Sequence, residues 1–369
     1  FTVENPANAQ WETLPDGDHG LRTPAGGGPI AGEHSYSVLN DGSFFAVYRT
    51  IDGHPACTTS RDGGHHWEEP QYVTYADGRR IKHPRAANFA WKCTNGKYLY
   101  WYHNHGGKWY DDRNPVFLLG GEEADGPNGR IIRWSQPEIV LYTDDPKERL
   151  SYPDLIETED GFYLTETQKT VARVHAVPQE ILDGLWNPQP PNGDPLLLSE
   201  DAPVASELPM PKLPLFYDAK KPDPLTRNGF TIELTARLDG DTILLDNGNV
   251  VGLGFTLQYA VEENRFSFSI SDGTHEITAH SDAGVFDDGK SHHIAVIMDG
   301  GPHIISWIID GQYHDGADQR QFGWTRFPLE LVSGNGADVL RVGAVESLHI
   351  YGRALRTAEV IANYHHLLR

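Results

Sequence analysis

The sequence predicts an all-β protein of two modules, a β-propeller followed by a β-sandwich, and three observations predict it. Short apolar or alternating runs fill the first half, separated by turns that carry glycine. These runs recur in rounds of roughly fifty residues with a central turn, the period expected of propeller blades. A proline-rich interruption then leads into a second set of strand-length apolar runs. At 369 residues the chain is long enough for two ordinary domains, each with its own core. Modest hydrophobic content (38%) beside 38 glycines, 25 prolines, 9 tryptophans and 16 tyrosines suits loop-rich β structure with aromatic surfaces.

The first round places strands at 35–39, 43–48, 56–60 and 71–74, with turns at Asp41-Gly42 and Asp62-Gly63. A second round follows at 88–92, 98–103, 116–119 and 131–134, its first hairpin turning at Asn95-Gly96. A third begins at Tyr152, turns at Asp160-Gly161, and continues through 162–168 and 171–177. Ser60, Asp62, Gly64 and Trp67 fit the pattern Ser-x-Asp-x-Gly-x-x-Trp. The run resembles the Asp-box, or BNR repeat, of the sialidase-like β-propellers. Asp62 can accept backbone N–H bonds, Gly64 permits the turn and Trp67 packs over it. The motif stabilises a fold and carries no chemistry. Three rounds are too few for a closed six- or seven-bladed ring. Three explanations stand: blades in a segment absent from this chain, a smaller ring, or strands after Leu213 completing it.

From 187 to 212 the composition becomes linker-like, with prolines limiting regular structure. Strand-length runs resume at 229–235, 266–270, 293–297 and 304–308. The stretch 288–296 with 308–311 is similar to the paired central strands of the laminin-G/concanavalin-like jelly rolls. The stretch 346–355, leading into a helix at 357–364, is similar to their closing strand and helix, with Thr357 as its N-cap. The expected division is therefore 1–186 propeller blades, 187–212 linker and 213–369 jelly roll.

A net charge of −22 argues against nucleic acid as a partner, because phosphate backbones call for clustered Lys and Arg. No apolar run is long enough to span a bilayer, and the expected location is secreted or periplasmic. Phe1 is not an initiator methionine, so the chain is expected to have been processed or cut from a longer precursor, which would also be the source of a missing propeller segment. Cys57 and Cys93 form no CxxC pair; a disulfide, two buried thiols, or metal binding with histidines all remain open.

The segment from His83 to His175 is dense in chemistry-bearing residues. Strand partners across a hairpin face one another, so His83 and His103 can come together, and two imidazoles sharing a cleft suit proton transfer near neutral pH. His105, Arg85, Asn88, Asn104 and Arg113 surround them in sequence. At this point the chain resembles the propeller polysaccharide lyases that cleave beside glucuronate, notably ulvan lyases and rhamnose–glucuronate lyases. The resemblance rests on His83, His103, the Tyr152-Pro-Asp strand start, and a basic residue, Lys169 or Arg173, on the next strand. It implies β-elimination. Tyr152 with His103 would be the acid/base pair, and His83 would support the carboxylate or share the acid role. Arg85, Asn88, Asn104, His105, Arg113, Lys169 and Arg173 would bind the uronate anion.

Two rivals accompany this reading. A sialidase-type hydrolase needs an arginine triad and a carboxylate-activated tyrosine, or paired carboxylates such as Asp154, Glu157 and Glu166. A non-catalytic glycan binder would dock sugars on Trp101, Trp109 and Trp134. The expected partner is an acidic polysaccharide or oligosaccharide. No cofactor is required, with structural calcium or zinc as the candidates and no diagnostic metal spacing.

Overall fold

The computed structural model describes residues 12–17, 20–107, 109, 113–143, 145, 147–167, 170–193, 196–202, 204–216, 228–284, 286–316 and 325–368. The protein is all-β: blade-type antiparallel sheets, then a two-sheet sandwich, with no closed ring among the described residues. The first sheet runs β1 (Gly32–Val38), β2 (Phe44–Arg49), β3 (Ala56–Ser60) and β4 (Gln71–Tyr72) in sequence order. The second joins β5 (Phe89–Lys92), β6 (Tyr98–Tyr102), β7 (Val116–Gly126) and β8 (Gly129–Trp134), and β9 (Glu138–Leu141) also pairs with β7. The third holds β10 (Leu155–Thr158), β11 (Gly161–Thr167) and β12 (Ala172–Val177). Helix α1 (Gln179–Trp186) closes this half, and its Ile181, Leu182 and Leu185 pack with Leu99, Trp101, Leu118 and Leu164 of the second and third sheets.

The Asp-box is built as its residue types require. Asp62 Oδ1 accepts the His66 backbone N–H at 2.9 Å, and Ser60 Oγ accepts that of Gly64 at 2.9 Å. Gly64 adopts φ +103°, a conformation that glycine reaches without steric penalty. The Trp67 indole donates to Gly64 O at 2.9 Å and covers the Ala46–Tyr48–Ala56 cluster.

The sandwich consists of two sheets. One contains β13 (Leu196–Glu200), β15 (Gly229–Arg237), β20 (Ser291–Asp299), β21 (Ile304–Ile309), β22 (Gln312–His314), β23 (Thr325–Arg326) and β25 (Val345–Tyr351). The other contains β14 (Glu207–Pro209), β16 (Thr242–Asp246), β17 (Leu253–Ala260), β18 (Arg265–Asp272), β19 (Glu276–His280) and β24 (Val339–Val342). Helix α2 (Thr357–Leu367) follows β25. Arg356 is the N-cap residue of α2, and the side chain of Glu359 accepts its backbone N–H at 2.8 Å, so Thr357 opens the helix and does not cap it. The stretch expected to be a linker also contributes structure. Strand β13 pairs with β25 and β14 with β24, each at a sheet edge, where a proline such as Pro209 removes no ladder bond on its open side.

Among the described residues the strands after Leu213 thus form, with β13 and β14, sheets separate from the blades and complete no ring. They do share a core with the blades. In β15, β20 and β21, Ile232, Leu234, Val296, Met298, Ile305 and Trp307 point into the sandwich interior. On the opposite face Ala295, Ile297, Ile304 and Ile308 pack with Phe45, Tyr100, Trp134 and Ile139 of the first two blades. Polar contacts fix the register of this junction. Arg79 Nη1 donates to Tyr313 O at 2.7 Å, Arg326 Nη2 to Asn114 O at 2.7 Å, and the Ala358 N–H to Glu138 Oε1 at 2.8 Å.

Because one sheet serves two cores, Ile308→Ala is expected to cost about 2–5 kcal/mol and to lower the melting of both modules together. Calorimetry should show a single shifted transition; two transitions, one unmoved, would contradict the shared core.

Candidate functional site

His83 and His103 do meet: their rings stack with centroids 5.9 Å apart and planes 15° from parallel. Both are 1% exposed. His83 is committed to the backbone through both nitrogens. Its Nδ1 accepts the His103 N–H at 3.1 Å, so the proton lies on Nε2, which donates to Ala86 O at 2.8 Å. Burial pushes its pKa down to about 3, and burial, with its neighbour His83 adding to the effect, drives His103 well below its ordinary value. His103 Nδ1 donates to Pro115 O at 3.2 Å. These two imidazoles are therefore neutral, fixed groups that build the floor of the site; the acid and base roles expected of them do not fit sealed, backbone-bound rings.

The accessible chemistry lies beside them. Tyr152 is half exposed and its hydroxyl donates to Glu33 Oε1 at 3.3 Å, joining the first and third blades across 119 residues. Arg49 Nη1 pairs with the same oxygen at 2.7 Å. The guanidinium of Arg113 stands 5.9 Å from the Tyr152 ring centre and donates to Ser151 Oγ at 3.0 Å. Burial pulls the pKa of Arg113 down, and its charge acts on both buried imidazoles. Arg113 is thus the bridge between histidine floor and exposed phenol.

Two members of the cluster are strained. Glu33 has φ +54° and Tyr152 φ +51°, in the left-handed region that non-glycine residues seldom occupy. Glu33 sits where the β1–β2 register shifts between Gly32 and Ser35, a bulge that re-aims its side chain. Such conformations cost about 1–3 kcal/mol each and cluster where geometry is held for function. Neither Glu33 nor Arg49 announces itself in the sequence; only the approach of the first and third blades brings Glu33 to Tyr152.

Other expected ligands take different roles. Arg173 lies directly across from Glu166 in the β11–β12 pairing and is bound to Glu166 at 2.8 Å and to Glu148. It is the cross-strand pair that the sequence allowed as an alternative, and its charge is spent there. Lys169 lies outside the described residues. Asn88, Asn104 and His105 are fully buried. Asn88 Oδ1 accepts the Tyr100 hydroxyl at 2.9 Å, His105 Nδ1 accepts the Gly107 N–H at 3.2 Å, and Asn104 Nδ2 donates to Asp315 Oδ2 at 2.7 Å. The last contact ties the blade to the sandwich, where Lys82 also holds Asp315 and burial raises the Asp315 carboxyl to about 7. These three are scaffold, not an open binding surface. Arg85 makes no hydrogen bond or ion pair among the described residues and remains available to an anion. Trp101 and Trp134 are core residues, whereas Trp109 is exposed.

Both cysteines are free thiols, and their surroundings push each pKa up to about 12. Among the described residues the only group of three or more His, Cys, Asp or Glu side chains that could share an ion is Glu12, Asp16 and His65, which includes neither cysteine. No helix among the described residues is long and apolar enough to cross a membrane.

Comparison with known proteins bears on the second module first. Residues 218–361 match the family described as the Concanavalin A-like lectin/glucanases superfamily. The C-terminal module is concanavalin-like. No curated protein matches the chain in sequence. Among solved structures, the intramolecular trans-sialidase from Ruminococcus gnavus in complex with oseltamivir carboxylate is 20% identical, with 40% of this chain and 31% of that chain covered and a TM-score of 0.29. The Trypanosoma rangeli sialidase is 15% identical, with 90% of this chain and 62% of that chain covered and a TM-score of 0.29. The CBM40 of the R. gnavus IT-sialidase, bound to α2,3 sialyllactose, is 16% identical over 46% of this chain and 99% of its own, with a TM-score of 0.28. The chain therefore spans less than two thirds of the length of either sialidase chain.

The buried imidazoles give the site a pH signature. Their folded pKa values lie below the ordinary 6.5, so their contribution to stability is complete above pH 6.5 and is lost as pH falls, for His83 through about 3. Stability should decline as pH falls below 6.5 by up to about 1.4 kcal/mol per pH unit for each ring, and for His83 the decline should level off below about 3. Urea midpoints measured across this range check the slope, and a histidine NMR resonance for His83 that titrates near 6.5 would contradict it.

Proposed function

We propose that the chain is a carbohydrate-active protein that cleaves an acidic glycan beside a uronate by β-elimination, with Tyr152 as the reacting group. The observation that carries this reading is the half-exposed Tyr152 phenol held between the Glu33 carboxylate and the Arg113 guanidinium. A uronate C5 proton becomes removable when the neighbouring carboxylate is neutralised. Arg85, uncommitted within the described chain, and Arg113, at the site itself, are the cations for that task. Glu33 draws the phenol proton away, so the Tyr152 oxygen can take the proton from C5. The O4 leaving group then receives a proton from the same phenol or from solvent, and a C4–C5 double bond remains on the uronate. His83 and His103, neutral and immobile, keep competing charge away from Arg113 and fix the floor beneath the sugar. The lectin- and glucanase-type resemblance of the second module agrees with a glycan partner.

One observation also favours hydrolysis. A tyrosine hydrogen-bonded to a glutamate can act as a nucleophile on an anomeric carbon. That route needs an acid on the leaving group, and two of the carboxylates expected to serve are engaged elsewhere. Glu157 accepts from the Thr94 backbone N–H at 2.9 Å, and buried Glu166 is paired with Arg173.

The deciding experiment follows ultraviolet absorbance and reducing ends together during incubation with ulvan and with rhamnose–glucuronate glycans. Elimination raises both signals, hydrolysis raises reducing ends alone, and a binding protein raises neither. Tyr152→Phe should lower the rate about 10²–10⁴-fold without lowering the melting temperature. An unchanged rate in that variant would remove Tyr152 from the chemistry.

A further inference from the structure

The outer face of the sheet containing β15 and β20 is only partly covered by the blades. Over another part of that face a cleft of 390 Å³ opens beside α2. Its floor carries Glu233 of β15 and His293 of β20, which are 4% and 3% exposed. The two residues form a pair at 2.6 Å between His293 Nε2 and Glu233 Oε1. Glu233 Oε2 accepts from Asn363 Nδ2 of α2 at 2.8 Å, so both carboxylate oxygens are occupied. A carboxylate only accepts, which puts a proton on His293 Nε2 and leaves Nδ1 as the free end of the ring. That Nδ1 is buried and has no hydrogen-bond partner among the described residues. Buried polar atoms are nearly always satisfied, and one left unpaired in a side chain that lines a cleft asks for a partner from outside the chain.

We propose that this cleft binds a neutral, hydroxyl-rich ligand, a sugar ring or a short run of them, through a hydrogen bond between a ligand hydroxyl and His293 Nδ1. A hydroxyl both donates and accepts, so it satisfies Nδ1 whether that nitrogen carries a lone pair or a proton. The charge lining the cleft disfavours an anion: Glu233 and Asp201 contribute carboxylates, and no Lys or Arg lines it among the described residues. Ser347 and His349 of β25 supply further polar contacts, and Tyr351 and Leu367 supply apolar surface for the C–H face of a sugar. The volume falls in the range of small-molecule sites, roughly 300–1,000 Å³. A metal is the poorer occupant. The ligand atoms of Glu233, His293 and His349 do not come within common reach of one ion, a condition met among the described residues only at Glu12, Asp16 and His65. None of these groups belongs to the Tyr152 cluster, so the inference does not rest on the elimination reading.

The test uses the full chain with ¹⁵N-labelled histidine and maltose, cellobiose and lactose as probes, with glucuronate as the anionic control. At least one neutral sugar should bind saturably by calorimetry and move the His293 Nδ1 resonance, while glucuronate should do neither. His293→Phe should weaken that binding at least about tenfold. Should this variant fail to fold, the resonance in the parent protein still decides. No binding by any of the three sugars, binding that leaves Nδ1 unmoved, or equal binding of glucuronate each overturns the proposal. Tyr152→Phe should bind the neutral sugar as tightly as the parent, so loss of elimination and loss of cleft binding are separately visible.

Discussion

The sheet that contains β15, β20 and β21 has apolar neighbours on both faces, and the placement of everything else follows from this. An antiparallel sheet usually buries one face and alternates accordingly. Here β21 is buried at every position and β20 at all but its first. One set of side chains closes the sandwich and the other closes the blades. The blades thus have a rigid base although no ring closes among the described residues. The polar contacts from Arg79, Asn104, Glu138 and Arg326 then select a single seating on that base.

A rigid base matters because the Tyr152 cluster is assembled from distant pieces under strain. Glu33 comes from a bulged edge of the first blade and Tyr152 from the start of the third. Arg113 comes from the approach to β7 in the second. The stacked imidazoles beneath contribute volume and hydrogen bonds without net charge, so the field at the phenol is set by one carboxylate and its surrounding guanidinium groups. That division into a neutral floor and a charged rim differs from the histidine-centred chemistry the residue types suggested.

Features encoded locally were legible in the sequence. Turns at Asn95-Gly96 and Asp160-Gly161, the alternating runs, the Asp-box and the sandwich strands each depend on neighbours within a few residues. The meeting of His83 and His103 was expected from hairpin pairing, yet the β5–β6 register sets Phe89 against Trp101 and leaves His83 in the segment before β5, so it is that segment's path that brings the two rings together. Their burial was not, since it depends on what packs above the hairpin. Arg173 shows the limit from the other side: its cross-strand partner Glu166 was visible, yet residue type alone could not rank an ion pair against a substrate. Strand β14 was hidden by its own Pro209 and β13 by the proline-rich sequence before it, and prolines mark edges as readily as linkers. Glu33 was invisible because its significance lies in a contact between separate blades.

The left-handed backbone at Glu33 and Tyr152 sets two selective pressures against each other. Glycine at either position would relax the chain, so directed evolution for heat tolerance alone would drift towards replacing them. Lineages obtained that way would be less strained but would lack the Glu33–Tyr152 contact between the first and third blades. Engineering this scaffold for endurance is better aimed at the sandwich, where relief of strain removes nothing from the phenol and its carboxylate.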